Sequence, residues 1–341
     1  MASSEAAASG EGLGATWRRL ALFVFLLAIG WAGLEWAMVR SPNSMSVKRD
    51  RLDAIAGDVG TLILGSSETY YGLKPKALSG VAYNLANNAQ SLYYDYALTR
   101  YFLPKLPRLR RAYVLVNYMS LYAELYDHPE AYRMYGYLQE YGIRPQRRID
   151  YLDLRTFSRV LLHSPHSALE RLVNGPIAPR DLRIDDRGWY RVPDEDRWGL
   201  GVSEAAGRIA VHHGFMRQQH LSGNVVMLER LIELLQEHGV EVVLITTPVY
   251  RTYMAQMRRD FWEPAAAAYE RVAARYDVRY LNFLDEPGLQ AIDFEDADHL
   301  NADGAERFAR LLELRVGPVG AGKTARVDSA SVSARTPARA R

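Results

Sequence analysis

Five short apolar runs recur along this chain, most of them followed by a stretch of helical spacing, and no other feature restricts its fold so sharply. The runs are "TLIL" from Thr61, "GVAYNLA" from Gly80, "AYVLV" from Ala112, "VEVVLITTP" from Val240 and "VRYLNF" from Val278. Runs that stay apolar instead of alternating with polar residues belong to strands buried on both faces. Helical patterns lie among them: "SLYYDYALTRYFLPKL", "NVVMLERLIELLQEHG" with Gly239 at its C-cap, "WEPAAAAYERVAARY" and "NADGAERFARLLEL". This alternation predicts a parallel sheet between two helical layers, a three-layer α/β/α sandwich. Such sheets hold ligands at the carboxyl ends of their strands. Between about residues 118 and 221 the alternation stops, and a Tyr-rich stretch gives way to "RIDDRGWYRVPDEDRW". That region is expected to be an insertion or cap on the sheet domain.

The N-terminus sets a second constraint. From Leu20 to Val39 the chain is an apolar run of twenty residues, broken only by Glu35 and flanked by Arg18, Arg19 and Arg40. At about 1.5 Å per residue it matches a hydrocarbon core of about 30 Å. Trp31 and Trp36 stand towards its far end, where an interfacial belt would hold them. A cleaved signal peptide and a buried core helix pass the same length test. The run is long for a signal peptide, so an uncleaved single-pass transmembrane helix over 17–40 is expected. Arg18 and Arg19 favour a cytoplasmic N-terminus with the domain outside, in a periplasmic or extracellular space; Arg40, Lys48, Arg49 and Arg51 pull the other way. Residues 1–16 read as a disordered tail, 41–58 as a polar linker, 59–316 as the α/β domain and 317–341 as a second disordered tail.

Charge narrows the partners. The formal charge is +2, but residues 317–341 alone carry +4, which leaves −2 for the rest. No folded part is basic enough to suggest nucleic acid. The absence of cysteine excludes disulfides, thiol catalysis and cysteine-ligated metals.

Two short motifs carry candidate chemistry. "LGSSE", ending the first strand, offers Ser66 and Ser67. A serine needs a positioned base to act as a nucleophile; otherwise Ser67 merely caps the following helix. After the last strand, "DFEDADHLNADG" places Asp296 three residues before His299, ahead of a helix capped by Asn301. A carboxylate so placed can orient an imidazole that takes a proton, although Asp293, Asp298 and Asp303 compete for that part. Both motifs fall at the carboxyl edge of one parallel sheet.

Taken together, Gly65-Ser66-Ser67 and D-x-x-H resemble the SGNH (GDSL-like) hydrolase superfamily, over approximately Leu62 to Leu314. The Gly-Ser-Ser-Glu variant and the "DHLNADG" ending are similar to its membrane-anchored branch, concerned with D-alanyl transfer to teichoic acids and O-acylation of exopolysaccharides. The resemblance implies an SGNH/flavodoxin-like fold, a Ser67 nucleophile with His299 and Asp296, and no metal or diffusible cofactor. It also implies an acyl donor, a polysaccharide acceptor, the lipid bilayer and a membrane-embedded acyl-donating protein as partners. The expected oxyanion donors are the amides of Ser67 and of Ala89, which stands where the family has glycine. The family's third block, Gly-x-Asn-Asp, has no clean counterpart: Asn117 and Ser120 lie near its place, with Asn87 or Asn88 as substitutes. Acyl transfer to a glycan, glycan ester hydrolysis and a catalytically silent role in polysaccharide assembly all stay open.

Other features have plainer readings. Tyr118, Tyr122 and Tyr126 at spacing four, then Tyr132, Tyr135, Tyr137 and Tyr141, suit a helix packed on the sheet better than a sugar platform. His212, His213 and His220 match no standard metal-ligand spacing and are expected at the surface or in the cap. Thr247 and Tyr250 follow a central strand and are candidate cleft residues. "GPVGAGKT" from Gly317 satisfies the Walker A pattern, but a helix precedes it where a strand is needed.

Overall fold

The computed structural model describes residues 3–175, 182–192 and 199–317. In chain order its helices and strands are α1 (Ser3–Arg40), α2 (Ser44–Ile55), β1 (Thr61–Leu64), α3 (Ser67–Gly72), β2 (Ala82–Asn84), α4 (Leu92–Phe102), β3 (Arg111–Leu115) and α5 (Arg133–Tyr141). They continue as α6 (Pro165–Asn174), α7 (Val202–Phe215), α8 (Leu221–Glu237), β4 (Glu241–Thr246), α9 (Arg251–Met254), α10 (Arg259–Tyr276), β5 (Arg279–Asn282) and α11 (Ala302–Val316).

The five strands form one parallel sheet in the order β2-β1-β3-β4-β5, and each comes from one of the five apolar runs. Their side chains alternate between two cores. Leu62, Leu64, Ala112, Val114, Val242 and Leu244 join α2, α4, α5, α8 and α10 on one face. Ile63, Tyr113, Val243 and Ile245 meet α11, Phe283 and Phe294 on the other. Both faces being covered is why the runs are apolar throughout. The strand order reverses beside β1, whose neighbours β2 and β3 lie on opposite sides, and a crevice opens at the carboxyl edge of such a switch point.

Three expectations need correction. Residues 41–58 are not a linker. Asn43 caps α2, its Oδ1 accepting from Met45 N at 2.9 Å and Ser46 N at 3.0 Å, while Ser46 Oγ accepts from Asn43 N at 2.9 Å. The helix buries Met45, Val47 and Leu52, and also Lys48, whose Nζ donates to Asn84 O at 3.0 Å and to Ala86 O. A polar composition concealed a docked helix because its one deeply buried charge is satisfied by carbonyls. Most of the segment 1–16 expected as a tail continues α1 back to Ser3, as its alanines permit. Within 118–221, α5 and α7 contribute Tyr137, Tyr141, Ile209 and Phe215 to the main core, but the tyrosine-rich stretch is not the helix expected. No α-helix covers residues 118–126, and a single 3-10 turn begins at Leu125; Tyr118 and Tyr122 are buried from turns, and Tyr137 stacks on Tyr94 at 4.2 Å. Beyond Gly317, the basic tail and the Walker-like segment lie outside the described residues.

α1 is long and apolar enough to cross a membrane. Most of it is exposed, but its end touches the domain. Met38 packs with Val160 and Ala168, and the Glu35 carboxylate accepts from Ser158 Oγ at 2.8 Å and Arg159 N at 2.7 Å.

Candidate active site

The site begins with a turn that only glycine allows. Gly65 leaves β1 at φ +130, and a Cβ there would lie 2.4 Å from Leu115 Cβ and 2.7 Å from Thr69 Oγ1. Its amide donates to the buried Asp95 carboxylate at 2.9 Å, and burial pushes that carboxyl up to about 7. The tight turn puts Ser66 at the N-cap of α3 and Ser67 at its first helical position. Neither hydroxyl caps the helix. Ser66 Oγ donates to Glu68 Oε2, and Ser67 Oγ faces His299.

His299 and Asp296 arrive from the loop after β5. Ser67 Oγ lies 2.8 Å from His299 Nε2, and His299 Nδ1 lies 2.8 Å from Asp296 Oδ2 and 3.0 Å from Oδ1. Asp296 Oδ1 also accepts from the amides of Asp298 at 2.9 Å and His299 at 2.8 Å, so the loop itself aims the carboxylate. Tyr71 meets the imidazole edge-on at 5.1 Å. Serine, imidazole and carboxylate thus form a continuous line, its first and second members 232 positions apart in the chain.

Of the competing carboxylates, Asp293 pairs with Arg307 at 3.3 Å and Asp303 sits in the first turn of α11. Asp298 matters more. Its Oδ2 is 3.7 Å from His299 Nε2, and Arg208 grips both its oxygens at 2.7 Å. Burial works against charging His299, yet Asp296 and Asp298 outweigh it and raise the imidazole to about 9. Burial likewise resists the Asp298 charge, but His299 and Arg208 hold that carboxyl far below its usual range. His212 is not a surface residue: it is buried beside Asp298, with Nδ1 at 2.6 Å from Tyr253 OH, and burial lowers it to about 4. Asp296, Asp298 and His299 bring one potential metal-ligand atom each within 4.8 Å of one another. Arg208 and two backbone amides already use the carboxylates.

The expected oxyanion donors gather here with unequal fitness. The amides of Ser67 and Ala89 donate to no protein acceptor among the described residues, and both residues line one cavity of about 340 Å³. Ala89 has φ +56, the left-handed region that favours glycine, so the substitution keeps the amide at the cost of backbone strain. Asn117 is committed elsewhere. Its Oδ1 accepts from Met119 N at 2.9 Å and Ser120 N at 2.8 Å, and its Nδ2 donates to Glu68 Oε1. Asn88 lines the cavity with its Oδ1 unpaired. Asn87 is buried and caps its own turn. Thr247 and Tyr250 do not line the cavity.

Three participants escaped sequence reasoning. Glu68, buried and raised by that burial, lies 3.4 Å from Ser67 Oγ. Arg208 and the position of Asp298 beside the imidazole nitrogen that faces Ser67 were also missed. Arg208 and His212, four residues apart on one helix face, offered the one available signal.

No protein-family model matches the sequence, and no curated protein matches it significantly. Solved structures align over most of the chain at low similarity. A protein described as an acylhydrolase from Bacteroides fragilis has TM-score 0.38 and 10% identity, covering 78% of this chain and 92% of its own. A GDSL-like lipase from Bacteroides thetaiotaomicron has TM-score 0.39 and 10% identity, covering 80% and 98%. A protein described as a platelet activating factor from Streptococcus pneumoniae has TM-score 0.38 and 12% identity, covering 87% and 99%.

Proposed function

We propose that this chain is a membrane-anchored, serine-dependent acyl-transfer enzyme of the SGNH kind. The observation that carries the reading is the line Ser67 Oγ–His299 Nε2–Asp296, assembled at the carboxyl edge of a parallel sheet. In this reading neutral His299 takes the Ser67 proton while Oγ attacks an ester carbonyl, and the oxyanion accepts from the Ser67 and Ala89 amides. The tetrahedral species collapses to an acyl-serine, and the leaving alcohol takes the proton held by His299. An incoming hydroxyl then reverses the sequence, giving its proton to His299 and releasing Ser67.

Transfer to a cell-surface glycan is the preferred outcome. Asn88 Oδ1 is buried at the cavity wall without a partner, and Ser91 and Glu124, which interact with each other, line the same cavity. A polar wall of this kind suits a ligand bearing several hydroxyls. The anchor reading draws support from the end of α1, because the contacts of Glu35 and Met38 would be lost with a cleaved signal. The tether would also raise the effective concentration of membrane-borne donors. The silent-partner reading draws on Asn117, whose amide serves Glu68.

A fluorophosphonate probe decides among these. Covalent labelling that vanishes in Ser67→Ala supports the enzyme, and its absence in folded protein supports the silent partner. Rapid turnover of a simple ester favours hydrolysis; an acyl-serine that accumulates until glycan is added favours transfer.

A further inference from the structure

Outside α1, most of the exposed large apolar side chains among the described residues fall between 149 and 173. Leu152, Leu154 and Phe157, on short turns, are 77%, 71% and 79% exposed, and Leu169, Leu172 and Val173 project from α6. A water-facing surface has no use for such a concentration. The same segment grips the anchor. Val160 and Ala168 pack on Met38 and Leu34, and the turn at 158–160 donates to Glu35. Glu35 precedes Arg40 by five residues, about 7.5 Å along a helix axis. These contacts therefore lie inside the apolar run, not beyond it. If the run from Leu20 to Val39 fills the hydrocarbon, whatever touches Leu34 to Met38 enters the bilayer boundary with it. Arg148, exposed next to Ile149 at the start of this segment, carries charge suited to lipid phosphates.

We propose that the turns over 148–162 together with α6 form an apolar apron. It is seated in the lipid leaflet at the C-terminal end of α1 and holds the domain against the membrane surface. The occupant is lipid, because the apron continues a surface of the spanning helix itself. The inference rests on α1 being an anchor, and the test separates the two.

The chain has no cysteine, so single substitutions give unique labelling positions. The full chain is reconstituted in phosphatidylcholine–phosphatidylglycerol vesicles with nitroxide at Leu152→Cys, Phe157→Cys, Leu26→Cys or Leu314→Cys. Collision with oxygen reports lipid, and collision with a water-soluble nickel chelate reports water. At positions 152 and 157 the oxygen-to-nickel ratio should be several-fold above that at 314 and approach that at 26. Ratios at 152 and 157 equal to 314, with 26 lipid-like, would overturn the apron and leave the anchor standing. Shielding of 152 and 157 from both reagents would mean cover by protein and would also overturn it. A water-like value at 26 would remove the anchor, and the apron with it.

Discussion

Asp298 Oδ2 lies 3.7 Å from His299 Nε2, the same ring nitrogen that meets Ser67 Oγ at 2.8 Å. A serine–histidine–carboxylate line needs one carboxylate, on the far nitrogen. Here a second, pinned by Arg208, stabilises the imidazolium from the side that faces Ser67. The resting site therefore favours a protonated base, a condition that governs its pH behaviour.

Probe labelling of Ser67 should rise about tenfold per pH unit on approach to pH 9 and level off above it, because only neutral His299 accepts the proton. The stability effect has the opposite sign. His299 is raised from 6.5 to about 9, so its contribution is complete below about 6.5 and is lost as pH climbs through about 9. Thermal melts across this range, set beside His299→Ala, check both statements.

Asp298→Asn should move the labelling profile to lower pH and speed labelling at pH 7. It should also lower stability, since Arg208 loses its partner. Arg208 is 31% exposed, so the loss should fall short of the roughly 3–5 kcal/mol seen when fully buried pairs are broken. A pH–rate profile with a parallel melt separates the two effects.

Asp296→Asn should leave the fold intact and reduce labelling by up to about 10⁴-fold, because the imidazole loses its orienting acceptor. Circular dichroism checks the fold and stopped-flow labelling the rate.

Gly65→Ala should destabilise by about 1–3 kcal/mol or more, since the new methyl meets Leu115 and the backbone angle resists a side chain. Ala89→Gly is the contrasting case. It relieves φ +56 while keeping the amide, so labelling should persist and stability change by less than about 1 kcal/mol. Denaturant midpoints read both.

Lys48→Met should cost about 1–3 kcal/mol for each carbonyl left without a donor at Asn84 and Ala86. A true linker would tolerate the change, so a denaturation curve tests whether α2 belongs to the domain.

Period and punctuation made the five strands and the principal sheet-packing helices legible, because burial on both faces of a parallel sheet imposes a continuous apolar run. Ser67, Asp296 and His299 stood out for a related reason: Ser67 follows β1 directly and the other two lie in the segment between β5 and α11, where a parallel sheet gathers its loops. Packing of α11 against α3 decided that they meet, returning the loop after β5 to the carboxyl edge of β1, 232 positions away in the chain. α2 stayed hidden because carbonyls met through folding satisfy its buried lysine. Arg208 and the charge at Asp298 stayed hidden because they act through space from an irregular region, and no local period records a contact of that kind.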